Sequence, residues 1–220
     1  MSLVEFRRLA DAPPPERELL AIEVDGAAVG WRSTGSSVGR FAGAVGDLEG
    51  LRAAAAHAEE GEPPKAAELP ADASVERVVL GGRTASVEAG LPVAGPWGPL
   101  VDGCRRALDE LVASPVAAIA GSVTADGTVR LEHRGRDVLP VELGALRVEV
   151  VRWRDGAEAG RAGAGAAGQG RVEAGPGWSL DVAVPGWDAS GGGQVVATAT
   201  FVADDGGVFV PVTITARLAG

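Results

Sequence analysis

The sequence predicts an α+β fold in two parts. The first is an N-terminal antiparallel sheet with two helices, in which a ββα unit occurs twice, and the second is an antiparallel β-sandwich or barrel-like segment. Three observations lead to this prediction: apolar and polar residues alternate in many short runs, Gly-containing turns separate the runs, and apolar residues recur at helical spacing in only two stretches.

No packed helix or strand is predicted for the first segment of the N-terminal part. Residues 1–18 contain three consecutive prolines among many charges, so we expect an extended lead-in there. From residue 19, two alternating runs flank Asp25-Gly26 and predict a hairpin. A second hairpin is predicted around Gly81-Gly82.

A helix is expected after each hairpin. Asp47 precedes an Ala-rich stretch with apolar residues at helical spacing, and Pro96 precedes a second such stretch, which Ser114-Pro115 ends. Residues 19–115 are therefore predicted to form an α+β domain with both helices on one face of the sheet.

Residues 116–220 are predicted to be rich in β-strands. The alternation is strongest between residues 208 and 218, where Pro211 favours an edge strand or a bulge because it lacks an amide donor. Residues 156–177 are so rich in glycine that a long flexible loop is expected.

Composition limits the function. The net charge of −10 opposes binding to nucleic acid, and no apolar run approaches the length that spans a membrane. A single cysteine suits a reducing compartment, so we expect a cytoplasmic protein. One cysteine, two histidines and no tyrosine weigh against an enzyme. The sequence contains neither a paired-Cys motif nor a His-rich helix, so we expect no metal site, and we expect no other cofactor.

A small hydrolase is the alternative from another class. Gly35-Ser36-Ser37-Val38-Gly39 matches the G-x-S-x-G pattern and resembles the nucleophile elbow of α/β-hydrolases, although the parallel βαβ pattern is missing. Ser37 would act with His133 and an acid such as Asp109. The other catalytic pairing is Cys104 with His133. The competing expectation is that both residues only pack in the core, Cys104 on a helix and His133 on a strand.

The leading hypothesis is a non-catalytic protein-interaction module: an adaptor, accessory subunit or assembly component. Its expected contact residues are Trp187, in a Gly-flanked loop, and Val208, Val210 and Val212, on a final strand that could also pair two copies of the chain. Packing of Trp187 onto its own domain is the alternative for that residue. A third possibility for the chain is a small-molecule-binding β-sandwich or barrel, which requires a deep apolar pocket.

Overall fold

The computed structural model describes residues 2–10, 16–65, 73–165, 170–188 and 190–218. The described residues form mostly β-sheet with two helices, which confirms the broad α+β class. The chain divides into two compact units: unit 1 comprises residues 1–32 and 40–115, and unit 2 comprises residues 33–39 and 116–220.

The described elements follow one another along the chain in this order: β1 (Ser2–Ala10), β2 (Glu16–Glu23), β3 (Ala27–Arg32), β4 (Thr34–Gly35), β5 (Ser37–Ala44), α1 (Leu48–Glu59), β6 (Val75–Leu80), β7 (Arg83–Glu88), α2 (Gly98–Leu111), β8 (Pro115–Val123), β9 (Val129–Gly135), β10 (Leu139–Arg154), β11 (Ala157–Gly165), β12 (Arg171–Ala174), β13 (Ser179–Val182), β14 (Gln194–Asp205) and β15 (Val208–Leu218).

In unit 1 the strand order is β5-β3-β2-β1-β6-β7. Both predicted hairpins are confirmed: β2 pairs antiparallel with β3 across the turn at Asp25-Gly26, and β6 pairs antiparallel with β7. Gly81 and Gly82 adopt φ values of 55° and 79°, which suits the two-residue turn between β6 and β7 because L-residues with side chains rarely adopt positive φ.

Both predicted helices of unit 1 are confirmed. Asp47 caps α1 by accepting a hydrogen bond from the Gly50 N–H at 2.9 Å. On α2 the buried stripe includes Leu100, Cys104 and Leu108, as the helical spacing predicts. The helix lies close to β3, since a Cβ atom on Gly30 would come within 3.0 Å of a Leu111 methyl group.

The prediction of an unpacked lead-in over residues 1–18 is wrong for the described residues. Strand β1 pairs with both β2 and β6, and Val4 and Phe6 are buried on its core side. Three of its nine residues are charged, and Arg8 lies on the same side as Val4 and Phe6, so the alternation is interrupted in the sequence. The triple proline lies among residues 11–15, outside the described residues.

The repetition of ββα is not confirmed in detail. Helix α2 follows the hairpin of β6 and β7 directly, whereas β4 and β5 lie between the first hairpin and α1.

In unit 2, β13, β9 and β8 are neighbours in that order, and a second set runs β11-β10-β14-β15-β4, with β12 also paired to β10. These described strands do not close into a barrel. Strands β8 and β15 pack closely, because a Cβ atom on Gly121 would lie only 2.2 Å from Ile214 Cγ2. Glycine at this position permits the close approach of the two strands.

The flexible loop predicted for residues 156–177 is not found in the described part of that range, which contains β11 and β12. Asp155 and Gly156 adopt φ values of 52° and 78° and turn β10 back into β11, and β12 pairs with an earlier part of β10. Strand β11 consists mostly of Gly and Ala, so it has no large apolar side chains to reveal its alternation. Residues 166–169 lie outside the described residues.

Candidate functional site

Ser37 does not sit on a nucleophile elbow. It is the first residue of β5, and the chain continues as a strand to Ala44 instead of turning into a helix. The strained strand-to-helix turn that exposes an elbow serine is therefore missing, and the elbow prediction is wrong.

His133 is bound to backbone and not to an acid. Its Nε2 lies 2.8 Å from the backbone oxygen of Asp137, so Nε2 carries the proton and donates it to that carbonyl. Its Nδ1 is buried without a hydrogen-bond partner in the described structure. Because no carboxylate of the described residues is bonded to either ring nitrogen, His133 lacks the third member of a catalytic triad.

Cys104 is fully buried on α2. Desolvation, together with the negative charge of Glu76, raises the pKa of its thiol to about 12. Since the thiolate is the nucleophile, a thiol that stays protonated and inaccessible is unsuited to catalysis. Cys104 therefore acts as a small apolar core residue, as the packing interpretation predicts.

Asp109, the acid named with Ser37, belongs to a group of charges in unit 1. Four side chains face one another in register across four strands and form what we call the charge ladder: Arg32 on β3, Glu18 on β2, Arg8 on β1 and Glu76 on β6. Arg32 Nε lies 2.5 Å from Glu18 Oε1, Arg8 bonds Glu18, and Arg8 Nε donates to Glu76 Oε1 at 2.9 Å.

Helix α2 adds charged groups at both ends of the charge ladder. Arg105 donates to Glu76 Oε2 from Nε at 2.9 Å and from Nη2 at 2.6 Å, and it also binds Asp102 at 2.8 Å. At the other end, Asp109 lies 3.4 Å from Arg32. These contacts fix the position of α2 on the sheet.

The charge ladder is paired internally. Glu76 has no exposed surface and Glu18 is 4% exposed, so each depends on arginine for compensation. Burial lowers the pKa of Arg8, but attraction to Glu18 and Glu76 outweighs it, and the net pKa of Arg8 is raised. Both buried acids of the charge ladder are therefore held by arginine, and removing either partner of such a buried pair is costly to the fold.

The described part of the chain also offers no metal site and no membrane-spanning helix. No group of three or more His, Cys, Asp or Glu side chains is placed to hold a metal ion there. Neither α1 nor α2 has the length and apolarity needed to cross a bilayer.

Trp187 is half-buried against its own unit. Its Nε1 donates to the Ala125 oxygen at 3.2 Å, and the Arg152 guanidinium lies 4.6 Å from the centre of a Trp187 ring. Arg152 is 6% exposed and also donates to the backbone oxygen of Asp188. These contacts favour the packing alternative for Trp187, with Arg152 holding the loop in place.

The final strand presents less surface than its sequence suggests. Val212 is 1% exposed and packs in the core, so it offers almost no surface to a partner. Val208 and Val210 point to the same side as Val212, since residues two apart share a face, and Val208 is 61% exposed near the hairpin turn.

The outer edge of β15 is poorly suited to pairing. Thr213 donates its N–H to the Ser33 oxygen at 2.8 Å, and the two residues of β4 pair beside it. Backbone groups two residues apart point the same way, so position 211 also faces away from β14, and proline supplies no N–H there.

Strand β11 has a more open edge. It has nine residues and pairs only with β10 among the described strands. By contrast, β7 at the edge of unit 1 is covered, because the Ser86 N–H donates to the Pro64 oxygen at 2.8 Å. An uncovered strand edge offers unpaired backbone donors and acceptors to another chain.

The two faces of β11 differ. Ala162 and Ala164 lie opposite the buried residues Val150 and Val148, on the core side. Arg161 and Gly163 lie on the outer side, where Gly163 is opposite Glu149.

Arg161 is the main charged group of this outer face. It donates to Glu149 at 2.5 Å and to Glu158 at 2.6 Å. These hydrogen bonds raise the pKa of Arg161 and lower the pKa of Glu158, so both remain charged at neutral pH.

An open groove of about 520 Å³ lies on this outer face. Gly163 and Gly165 line it because they carry no side chains, and Arg147, Glu149 and Thr198 are among the residues around it. Its opening to solvent and its charged lining differ from the deep apolar pocket that a small-molecule-binding barrel requires.

Known proteins give no further guide to this site. Comparison of the chain with family models, with curated proteins and with solved structures finds no match.

Proposed function

We propose that this chain is a non-catalytic protein-interaction component, an adaptor, accessory subunit or assembly factor, whose contact surface is the open edge of β11. The observation that carries the proposal is the contrast between edges: β7 is covered by Pro64 and β15 carries Pro211, whereas none of the described strands pairs with the outer edge of the nine-residue strand β11.

Edge pairing provides a physical mechanism for binding. About every second residue of a strand directs its N–H and C=O groups away from the neighbouring strand. A partner that binds in extended conformation satisfies these groups with its own backbone, and its side chains supply specificity. The Gly and Ala residues of β11 do not obstruct that approach.

The candidate catalytic groups support a non-catalytic role. Ser37 lies in a strand, Cys104 is a buried protonated thiol, and His133 is bonded to a backbone carbonyl. The buried charges of the charge ladder are paired with one another. We also propose a cytoplasmic location, since Cys104 is a free cysteine.

Site-specific photocrosslinking tests the proposal. A photoreactive amino acid at Gly160 has room, because a Cβ atom there meets nothing within 4 Å. We expect adducts with a defined polypeptide segment in the native host. The matched control is the same amino acid at Thr84, an exposed position on the covered strand β7.

The comparison between the two positions decides the outcome. Adducts at Gly160 that are missing at Thr84 support the open edge as the contact surface. Equal labelling at both positions, or no adduct at Gly160, contradicts the proposal.

A further inference from the structure

We propose that the partner of β11 is the β11 strand of a second copy of this chain, paired antiparallel around a two-fold axis at Ala162. This inference rests on the proposed function and names the partner for the same edge. A two-fold axis makes the contact self-complementary and closed, so the expected product is a dimer.

The two faces of the strand restrict the possible registers to those whose axis passes through a residue. A two-fold axis perpendicular to the sheet keeps both cores on the same side, so each residue must face one that lies on the same face. With the axis at Ala162, Arg161 faces Gly163 of the second copy, and both are outer-face residues. Gly160 then faces Ala164, and both are core-side residues.

Charge complementarity favours the Ala162 register. Gly163 pairs with Glu149 of β10, and Glu149 pairs in turn with Thr198 of β14, so these three residues form one row across the sheet. The Arg161 side chain of one copy therefore passes over the bare Gly163 of the other and reaches Glu149 in the open groove. Each Glu149, which already binds its own Arg161, gains a second arginine across the interface.

Neighbouring registers bring like charges closer together than the Ala162 register, in which the two Arg161 residues are diagonal neighbours. An axis at Arg161 sets the two Arg161 side chains directly opposite each other, which is unfavourable. An axis at Gly163 sets Arg161 opposite Gly165, whose row contains Arg147. Among these three registers, only the Ala162 register gives Arg161 an acidic neighbour in the other copy.

Small side chains permit the contact on the core side. Ala162 lies opposite Val150 of its own chain. The pairing places it opposite Ala162 of the second copy as well, so one continuous row runs from Val150 of one copy to Val150 of the other. Val150 is buried and Ala162 is half-buried at the rim of the core. The pairing thus extends the sheet and covers the exposed side of Ala162.

Sedimentation of the full chain over a range of concentrations tests this inference. We expect the wild-type chain to show a reversible monomer–dimer equilibrium. Arg161→Glu places two acidic groups together at each contact, and Glu149→Arg places two basic groups together. Each variant alone is expected to dimerise about tenfold more weakly.

A mixture of the two variants separates interface charge from damage to the fold. In a mixed dimer, Glu at position 161 of one copy meets Arg at position 149 of the other, while the second contact joins the remaining native Arg161 and Glu149. We therefore expect mixing to restore association to near the wild-type strength. A variant that had merely lost structure would not be rescued by mixing.

The outcomes distinguish the two proposals. A wild-type chain that stays monomeric at submillimolar concentration, or a mixture that shows no rescue, overturns self-pairing. Crosslinking from Gly160 to a different polypeptide also overturns self-pairing but supports the open edge of β11 as a binding surface. Crosslinking from Gly160 to another copy of the chain supports both.

Discussion

The charge ladder allows a quantitative prediction about the stability of unit 1. Replacing Glu76 by Gln keeps the side-chain volume and removes the negative charge. Arg105 donates two hydrogen bonds to one carboxylate oxygen of Glu76, and Arg8 donates one to the other oxygen. The amide oxygen of Gln can accept at only one of these two places, because the NH₂ group at the other is a donor.

The expected cost follows from burial. Removing one partner of a buried ion pair costs about 3–5 kcal/mol, because the remaining charge is uncompensated. Here Arg8 keeps Glu18, and Arg105 keeps Asp102. We therefore expect a loss near the lower limit, about 3 kcal/mol in the free energy of unfolding.

Asp109→Asn is the matched control within the same group of charges. Asp109 contacts Arg32 at 3.4 Å, but its side chain is 75% exposed. Solvent screens such a pair, and its removal is expected to cost less than about 1 kcal/mol. Both substitutions change one acid to its amide, so the difference between them isolates burial.

Urea unfolding followed by circular dichroism measures both free energies, and amide exchange in β1 and β6 reports unit 1 by itself. Faster exchange in Glu76→Gln than in Asp109→Asn is expected. If the two variants differed by less than about 1 kcal/mol, the claim that the charge ladder depends on burial would be refuted.

Two further predictions concern Cys104 and Gly39. Alkylation of Cys104 is expected to require unfolding. Because the pKa of its thiol is about 12 in the folded chain and 9.0 when unfolded, the free energy of unfolding should fall as pH rises between these values. Cys104→Ala should remove this pH dependence of the unfolding free energy in urea titrations. Gly39→Ala is expected to lower the free energy of unfolding by about 2 kcal/mol or more, because φ is 131° and the new Cβ would lie 2.4 Å from the Ala117 oxygen. Gly177→Ala is the control: φ is 84° there but the surrounding space is open, so the loss should be about 1 kcal/mol. Equal midpoints of the two variants in thermal unfolding would contradict this reasoning.

Local signals in the sequence predict much of unit 1. Asp47 marks the start of α1, and Gly81-Gly82 marks the turn between β6 and β7, because capping and positive φ depend on only a few adjacent residues. The stripe that contains Cys104 likewise identifies the buried face of α2. In these cases local chemistry and tertiary packing agree.

Strand β11 shows where such signals fail. Its Gly and Ala residues have low contrast between core and solvent sides, so alternation is invisible in the sequence. What makes it a strand is the long partner β10, whose residues from Arg147 to Arg154 supply its backbone hydrogen bonds. Pairing of this kind depends on the fold and not on local composition.

The charge ladder was missed for a different reason. Charged residues are usually solvated, so Glu18 and Glu76 read as surface positions. A signal was nevertheless present: each lies two residues before a buried residue of its strand, Leu20 and Val78 respectively, and therefore on the core side. Charges in the core-side positions of an alternating strand indicate buried ion pairs when opposite charges occur on neighbouring strands.

The two units use charged side chains in opposite ways, and this contrast bears on function. In unit 1, Glu76 is enclosed by arginines from β1 and α2, so its charge is already paired within the fold. On β11 of unit 2, Arg161 is half-exposed and borders a groove that bare glycines leave open. Because water competes for such a group, a further acidic partner can still be added beside Glu149 and Glu158 at little cost. Specific recognition is therefore expected at the edge of β11, where both the backbone and the arginine can accept a further partner.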